Sequence, residues 1–332
     1  MAEPRWLPIT RWLLDHDTLP DLSIIDVPQV GAWFPHGHFA HVESHYRGVR
    51  IFGRGHDRAR TVAVEKACAE VFERVAVLHA GLTNSNGVAA HRSFRLASAS
   101  AKRELVERDA FLCHSFARAP FHEVTSDARI IRGTAFGATR RRLAARSIAL
   151  RLGEMQTATR TAGMVCAAFG ARHAPRFGVV FGLGYGSDLV AAVNHSVSEV
   201  ISNLLPILLG ARFSGLSPAQ FAALSHADST AHLRLALFHR QAARAASMFT
   251  DVPRKRGGIA AAAPFAVERL ALPAAFAGCP AVVVHATNAG LQPLVMGVPD
   301  PANVHAARVA AYGAGMPDVE DDWPGYPPHL LG

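Results

Sequence analysis

The chain has 332 residues, of which 50% are hydrophobic and 18% charged, with a formal net charge of +8. This composition excludes a disordered or fibrous protein and leaves room for a large core and as many as two lobes. Arginine supplies nearly all the positive charge, since lysine occurs only at Lys66, Lys102 and Lys255; the densest run, Arg140-Arg-Arg142 with Arg146 and Arg151, reads as a solvated helix face, with a groove for an acidic peptide as the lesser alternative. It lacks the interleaved aromatics of a single-strand stacking platform, so neither nucleic acid nor, with no apolar run long enough to span a bilayer, a membrane is an expected partner.

The N-terminus shows no basic leader followed by an apolar stretch. The four cysteines, Cys68, Cys113, Cys166 and Cys279, form no Cys-x-x-Cys pair. That argues against a zinc site or a disulfide framework and points to a reducing cytoplasm.

Along the chain, Phe39 to Tyr46 alternates as a strand does, and Gly48 to Gly53 reads as a second strand ending in the turn Gly53 to Gly55. From Ala59 to Leu78 the apolar spacing becomes helical. Asn84-Ser-Asn-Gly87 is turn chemistry, and a central helix runs from about Phe94 to Phe116. Ala128 to Arg132 looks strand-like, followed by helix through Arg151. Met164 to Phe169 and Arg176 to Leu183 follow, the latter with the β-branched and aromatic content of a buried strand. The run Gly182-x-Gly184-x-Gly186 leads to a helix over Ser187 to Leu205, stopped by Pro206. Residues 216–248 are mostly helical, Gly257 to Pro264 is a small-residue linker, and Ala281 to His285 is a strand. A last helix, Ala302 to Tyr312, precedes a Pro- and acid-rich tail.

The candidate chemistry lies in repeated acids. Ser98 to Asp109, read as a helix, sets Glu104 and Glu107 on one face with Arg108 just beyond. The same figure occurs as Glu70-Val-Phe-Glu73-Arg74, and more weakly as Glu199-Val-Ile-Ser-Asn203. Each helical pattern follows a glycine-marked turn. A single Glu-x-x-Glu-Arg is ordinarily a surface ion pair; the recurrence behind glycines suggests carboxylates gathered to hold divalent metal against a polyphosphate. Hard oxygen ligands of this kind suit Mg²⁺, and the arginines could pair with acids or grip phosphate oxygens. The Gly-x-Gly-x-Gly spacing is wrong for a dinucleotide fold, and no P-loop is present. His36, His38, His41 and His45 lack metal-ligand spacing and read as surface or core-edge residues.

Ser85-Asn86-Gly87, then Glu104-Leu-Val-Glu107-Arg108-Asp109, resembles the signature of the YcaO family of ATP-using peptide-backbone enzymes. Gly53-Arg-Gly55 through Glu70-Val-Phe-Glu73-Arg74 is similar to that family's first motif. Gly182 to Asn203 resembles the third, and Asn288 to Leu294 with Gly297 resembles a C-terminal segment. The likeness spans about residue 38 to the end. It implies an α+β fold of mixed sheets with flanking helices, built here from strand, glycine-turn and helix units that carry the acids. It also implies ATP and Mg²⁺ as cofactors. The implied nucleotide ligands are Glu70, Glu73, Arg74, Asn86, Glu104, Glu107, Arg108, Glu199 and Asn203. The metal ligands among them are Glu70, Glu73, Glu104, Glu107 and Glu199.

The implied reaction is ATP-dependent activation of a peptide amide. A nucleophile attacks the carbonyl, the oxyanion takes the γ-phosphoryl group, and phosphate leaves. The expected outcome is azoline formation from Cys, Ser or Thr of a ribosomal precursor peptide. Thioamide or amidine formation by the same activation is the alternative, and a non-hydrolysing scaffold is a further one. The chain reads as a single domain over 1–332, divided into a strand-rich 1–50, the ATP- and Mg-binding motifs in 51–210 and a C-terminal lobe in 211–332. No leader-binding domain is evident, so a leader-binding partner protein is expected, with a flavin-dependent dehydrogenase as a further partner.

Three features depart from the family pattern. Only Val75 to Asn84 separate the first and second motifs, as in a shortened member whose sheet is incomplete or built from elsewhere. Lys66 and Asn203 stand where Ser and Gln are usual. The tail ends Pro-His-Leu-Leu-Gly, and a catalytic role for the Gly332 carboxylate is left open.

Overall fold

A computed structural model describes residues 6–34, 37–159, 161–170, 177–251, 263–313 and 326–331. In chain order the elements are α1 (Pro8–Asp15), β1 (Ser23–Asp26), β2 (His38–Tyr46), β3 (Val49–Asp57), α2 (Arg60–Ala80), β4 (Val88–His91) and α3 (Phe94–Ala117). Then come β5 (Phe121–Glu123), α4 (Ala128–Gly133), α5 (Phe136–Ala144), β6 (Ala149–Met155), β7 (Ala162–Phe169), β8 (Val179–Gly186) and α6 (Leu189–Leu208). The remainder is α7 (Pro218–Ala222), α8 (Ser229–Leu237), α9 (Gln241–Ser247), β9 (Phe249–Thr250), β10 (Ala266–Leu270), β11 (Val282–Thr287) and α10 (Ala306–Ala310). The fold is α+β, as the sequence implied. Two compact units divide it: Met1–Leu105 with Phe265–Asn288, and Val106–Pro264 with Ala289–Gly332, the first boundary falling inside α3.

In the first unit α2 lies between two three-stranded sheets, β1-β2-β3 and β10-β11-β4, every pairing in them antiparallel. Ala63, Val64, Ala67, Cys68, Val71, Phe72 and Val75 form one core with Trp12, Val42, Ile51, Val88 and Val283. A helix buried against two sheets needs apolar residues on more than one face, which is why α2 carries no clean amphipathic stripe. The sheet holding β4 is completed by β10 and β11 from far along the chain, so the short link after the first motif does not leave β4 unpaired.

The second unit is built on a five-stranded sheet of order β8-β7-β6-β5-β9, antiparallel except for the β5–β9 pair. Helix α6 packs on β8 and β7. Phe111 of α3 lies edge-on to Phe181 at 5.1 Å and stacked with Phe121 at 6.0 Å in the core that α8 and α9 complete. The tail enters this core: Pro327 to Leu330 are buried, and the His329 ring stacks on His232 at 3.9 Å while its carbonyl accepts from His232 Nδ1 at 2.8 Å. Gly332 lies outside the described residues, as do most of the small-residue linker and His36.

Several sequence expectations are corrected. Ala128 to Gly133 is a helix, because the Asp127 side chain accepts from Arg129 N at 2.8 Å and caps it; the short Ile130-Ile131 pair between arginines did not distinguish the two states. The helix expected through Arg151 ends at Ala144, and Arg151 stands on β6. There it donates to both oxygens of Glu123 and to the carbonyls of Ala246 and Phe249, so it is no member of a solvated helix face. Pro206 sits inside the last turn of α6, which runs on to Leu208. The last helix is shorter than expected and follows a 3-10 turn at Pro301–Asn303.

The glycine pairs are the most consequential difference. Gly53 and Gly55 lie within β3, and Gly182, Gly184 and Gly186 within β8, rather than in turns. A Cβ on Gly53 would come within 2.0 Å of the Ala67 carbonyl oxygen, and one on Gly182 within 2.2 Å of the Val200 nitrogen. Their function is close strand-to-helix packing rather than chain reversal.

Candidate functional site

That close packing positions the acids. With the helix backbone drawn against the strand, Glu70 reaches back to β3 and its Oε2 accepts from Arg54 N at 2.8 Å, sixteen residues earlier. In the second unit Glu199 Oε2 accepts from Leu183 N of β8, again sixteen residues earlier. Each glutamate thus satisfies a strand N–H that the glycine beside it has brought near.

One turn on, the two pairs differ. On α2, Arg74 Nη2 donates to Glu70 Oε1 at 2.8 Å, and Arg74 Nη1 to Ser85 Oγ at 2.5 Å. Glu73 Oε1 accepts from Ala90 N of β4 at 2.7 Å. Burial above all, then the charges of Glu70 and Glu104, push the Glu73 carboxyl up to about 8, against the opposing effects of the Ala90 N–H and Arg74. Burial also opposes the Arg74 charge, but Glu70, Glu73 and Glu104 outweigh it and hold the guanidinium above its ordinary value. On α6 the corresponding positions are Ser202 and Asn203. Asn203 Nδ2 donates to the Phe181 carbonyl at 3.1 Å, so the shorter amide is engaged with the strand.

The first unit therefore brings Glu70, Glu73, Arg74 and Glu104 into one electrostatic group. Asn86 stands in the turn just before β4, its N–H bound by Asn84 Oδ1 at 2.9 Å. In the second unit Glu107 is buried and Arg108 half-buried, with the Arg108 charge helping, after burial and His232, to hold the His329 imidazole well below its ordinary value. Lys66, at the departing position, pairs with Asp57 at 2.7 Å.

Two acids stood outside the expected set. Asp109 is fully buried, accepts from Gln292 N at 2.8 Å and pairs with Arg308 through Nε at 3.1 Å and Nη2 at 2.5 Å, tying α3 to the C-terminal segment of its unit. Glu65 accepts from Ile9 N, Thr10 N and Thr10 Oγ1 at the start of α1. A lone acid on an otherwise apolar helix face was the available signal for both; their partners, far along the chain, carried none.

A group of carboxylates with one of them half-buried and proton-retaining has a specific chemical capacity. A cation supplied to it would replace the proton and remove the mutual repulsion. Among the described residues no three His, Cys, Asp or Glu side chains are grouped so as to hold a metal ion by themselves. Mg²⁺ commonly takes only one or two carboxylates and completes its shell with water and phosphate oxygens, so the donor set around Glu73 fits it.

A model of the YcaO cyclodehydratases, described as ATP- and Mg²⁺-binding, matches residues 72–311. The chain belongs to the YcaO family. ATP and Mg²⁺ are accordingly its cofactors. Among solved structures, the YcaO protein from Methanopyrus kandleri bound with AMPPCP and Mg²⁺ is similar at 15% identity and a TM-score of 0.57, over 89% of this chain and 95% of that one. A heterocyclase in complex with substrate and cofactor is similar at 11% identity and a TM-score of 0.60, over 87% of this chain and 53% of the other. The E. coli microcin synthetase McbBCD complex contains a chain similar at 10% identity and a TM-score of 0.55, over 89% and 96%. At these identities the likeness shows the YcaO fold. No curated protein sequence matches the chain. No helix among the described residues is long and apolar enough to cross a membrane.

Proposed function

We propose that this YcaO protein uses ATP to O-phosphorylate backbone amides of a ribosomally made precursor peptide, forming azoline rings from Cys, Ser or Thr. The observation that carries the reading is Glu73. A half-buried carboxyl grouped with Glu70 and Glu104, its pKa pushed up to about 8, is costly to ionise unless a cation is delivered to it. Magnesium held there would supply charge neutralisation for the phosphate oxygens of the substrate ATP. Glu70, Glu73 and Glu104 are the proposed carboxylates of the first unit, with Arg74 and Asn86 as polar partners for the nucleotide. Arg74, already oriented by Glu70 and Ser85, presents a fixed cation and needs little reorganisation when phosphate arrives. Glu107, Arg108, Glu199 and Asn203 are proposed, on the family resemblance, as further nucleotide ligands, the two glutamates also as metal ligands.

Activation of this kind asks little covalent chemistry of the protein. An amide oxygen leaves poorly, and phosphorylation turns it into a good leaving group, so positioning and charge neutralisation are the protein's contribution. The solved complexes that resemble the chain include a multi-subunit synthetase. In that light a leader-binding partner is proposed for substrate recruitment, and a flavin-dependent dehydrogenase for later oxidation of the ring. Mass spectrometry of a precursor co-expressed with the protein tests the reading. Loss of one water per modified residue is expected. Oxygen-for-sulfur exchange would assign thioamide formation instead, and an unmodified precursor with no ATP turnover would assign a scaffold.

A further inference from the structure

Apart from the acids of α2, the first unit has a groove of about 570 Å³ between the opening turns of α3 and the start of β10. Phe94, Arg95 and Lys102 form one wall, Phe265 and Val267 the other, and the small Ala99 leaves the space between them. Phe94 is 43% exposed, and the Lys102 ammonium sits over the Phe265 ring at 5.7 Å. The first three turns of α3 hold Arg95, Lys102 and Arg103 and no acid before Glu104. Neither Arg95 nor Lys102 pairs with a carboxylate among the described residues.

The strand beside the groove is an open edge. Among the described residues β10 has one strand neighbour, β11, with Val267 opposite Ala286. Ala286 N donates to Gly87 O, on the side of β11 away from β10. In an antiparallel ladder the N–H and C=O of one residue point to the same side, so Val267 and Ala286 form a non-hydrogen-bonded pair. The backbone N–H and C=O of Val267, and by alternation those of Arg269, therefore point outward from the sheet. An outward row of backbone donors and acceptors, flanked by two aromatic rings and two uncompensated cations, has the features of a strand-addition site for an acidic partner.

We propose that this groove docks an extended, acidic segment of the peptide substrate, outside the residues that are modified, paired edge-on to β10 with its carboxylates on Arg95 and Lys102. The proposal rests on the reading of the protein as a peptide-modifying enzyme; the binding site itself is independent of the acids that serve ATP.

The test is fluorescence anisotropy on the full chain with a labelled eight-residue peptide of alternating Glu and Val, and with its Lys–Val counterpart. The acidic peptide is expected to bind at least about tenfold tighter and to weaken as salt is added. Arg95→Glu with Lys102→Glu is expected to reduce its affinity at least about tenfold, and so is Val267→Pro, whose lost N–H belongs to the open edge and not to the β11 ladder. Calorimetry of MgATP binding in the same variants is expected to be unchanged, which also reports that they are folded. Equal affinity for the two peptides, or affinity indifferent to all three substitutions, overturns the proposal. So does a dimer, seen by light scattering, that Val267→Pro disperses, because the edge then belongs to a second copy. Peptide binding without ATP turnover would instead refute the enzymatic reading and leave the groove as a peptide site.

Discussion

The β3–α2 pair of the first unit and the β8–α6 pair of the second solve the same packing problem and then diverge. In both, an antiparallel hairpin leads into a long helix, glycines in the second strand let the helix backbone approach, and a glutamate accepts the strand N–H sixteen residues earlier. One turn further α2 carries Glu73 and Arg74, whereas α6 carries Ser202 and Asn203. The shared part places the first glutamate of each helix against its strand, because it concerns glycines and backbone hydrogen bonds. The divergent part bears on the proposed function, because the first pair alone adds a second glutamate and an arginine one turn on.

The largest expected effect comes from neutralising that difference. Glu73→Gln keeps the shape and removes the charge, and should lower ATP hydrolysis at least about 100-fold, or about 2.7 kcal/mol, in a steady-state phosphate-release assay. Activity within a few-fold of wild type would leave Glu73 no part in holding the nucleotide's metal. Next, Gly53→Ala and Gly182→Ala should each destabilise their own unit by about 1–3 kcal/mol, read as a lower melting temperature, because the obstructing atoms are backbone. If one of the two were neutral, the close approach would not be common to both pairs.

A smaller effect concerns pH. Glu73 binds its proton more tightly folded than unfolded, so between its ordinary value of 4.5 and about 8 the folded state holds more protons. Stability from this group is therefore fully present below about 4.5 and is lost as pH rises through about 8. Thermal melts without nucleotide or Mg²⁺ should fall across that window, and the Glu73→Gln variant should lose this component of the slope. The smallest effect belongs to α6: Asn203→Ala should slow hydrolysis by no more than about tenfold, since its amide is already engaged with the Phe181 carbonyl.

Long Ala-rich periodic segments made α2 and α3 legible to within two residues, and turn chemistry marked Asn84 to Gly87, although the strand β4 that follows it was not read from the sequence. Pairing partners were not legible. Nothing near Val88 announces Val282 to His285, which complete its sheet from the far end of the chain. The candidate residues were visible as recurring Glu-x-x-Glu figures, yet that figure by itself describes a solvated helix face equally well. What separates Glu73 from such a face is its contact with β4, where its carboxylate accepts from Ala90 N, a tertiary fact. The glycines were visible too, but read as turns, because a strand packed directly on a helix backbone and a tight loop both call for a missing side chain.

Isothermal titration of ATP, with and without Mg²⁺, into the wild-type chain and into Glu73→Ala and Glu104→Ala probes the carboxylate group most directly. Magnesium-dependent heat from the wild type and none from either variant is the expected result. Equal affinity in all three proteins would contradict the assignment of the nucleotide's metal to these carboxylates.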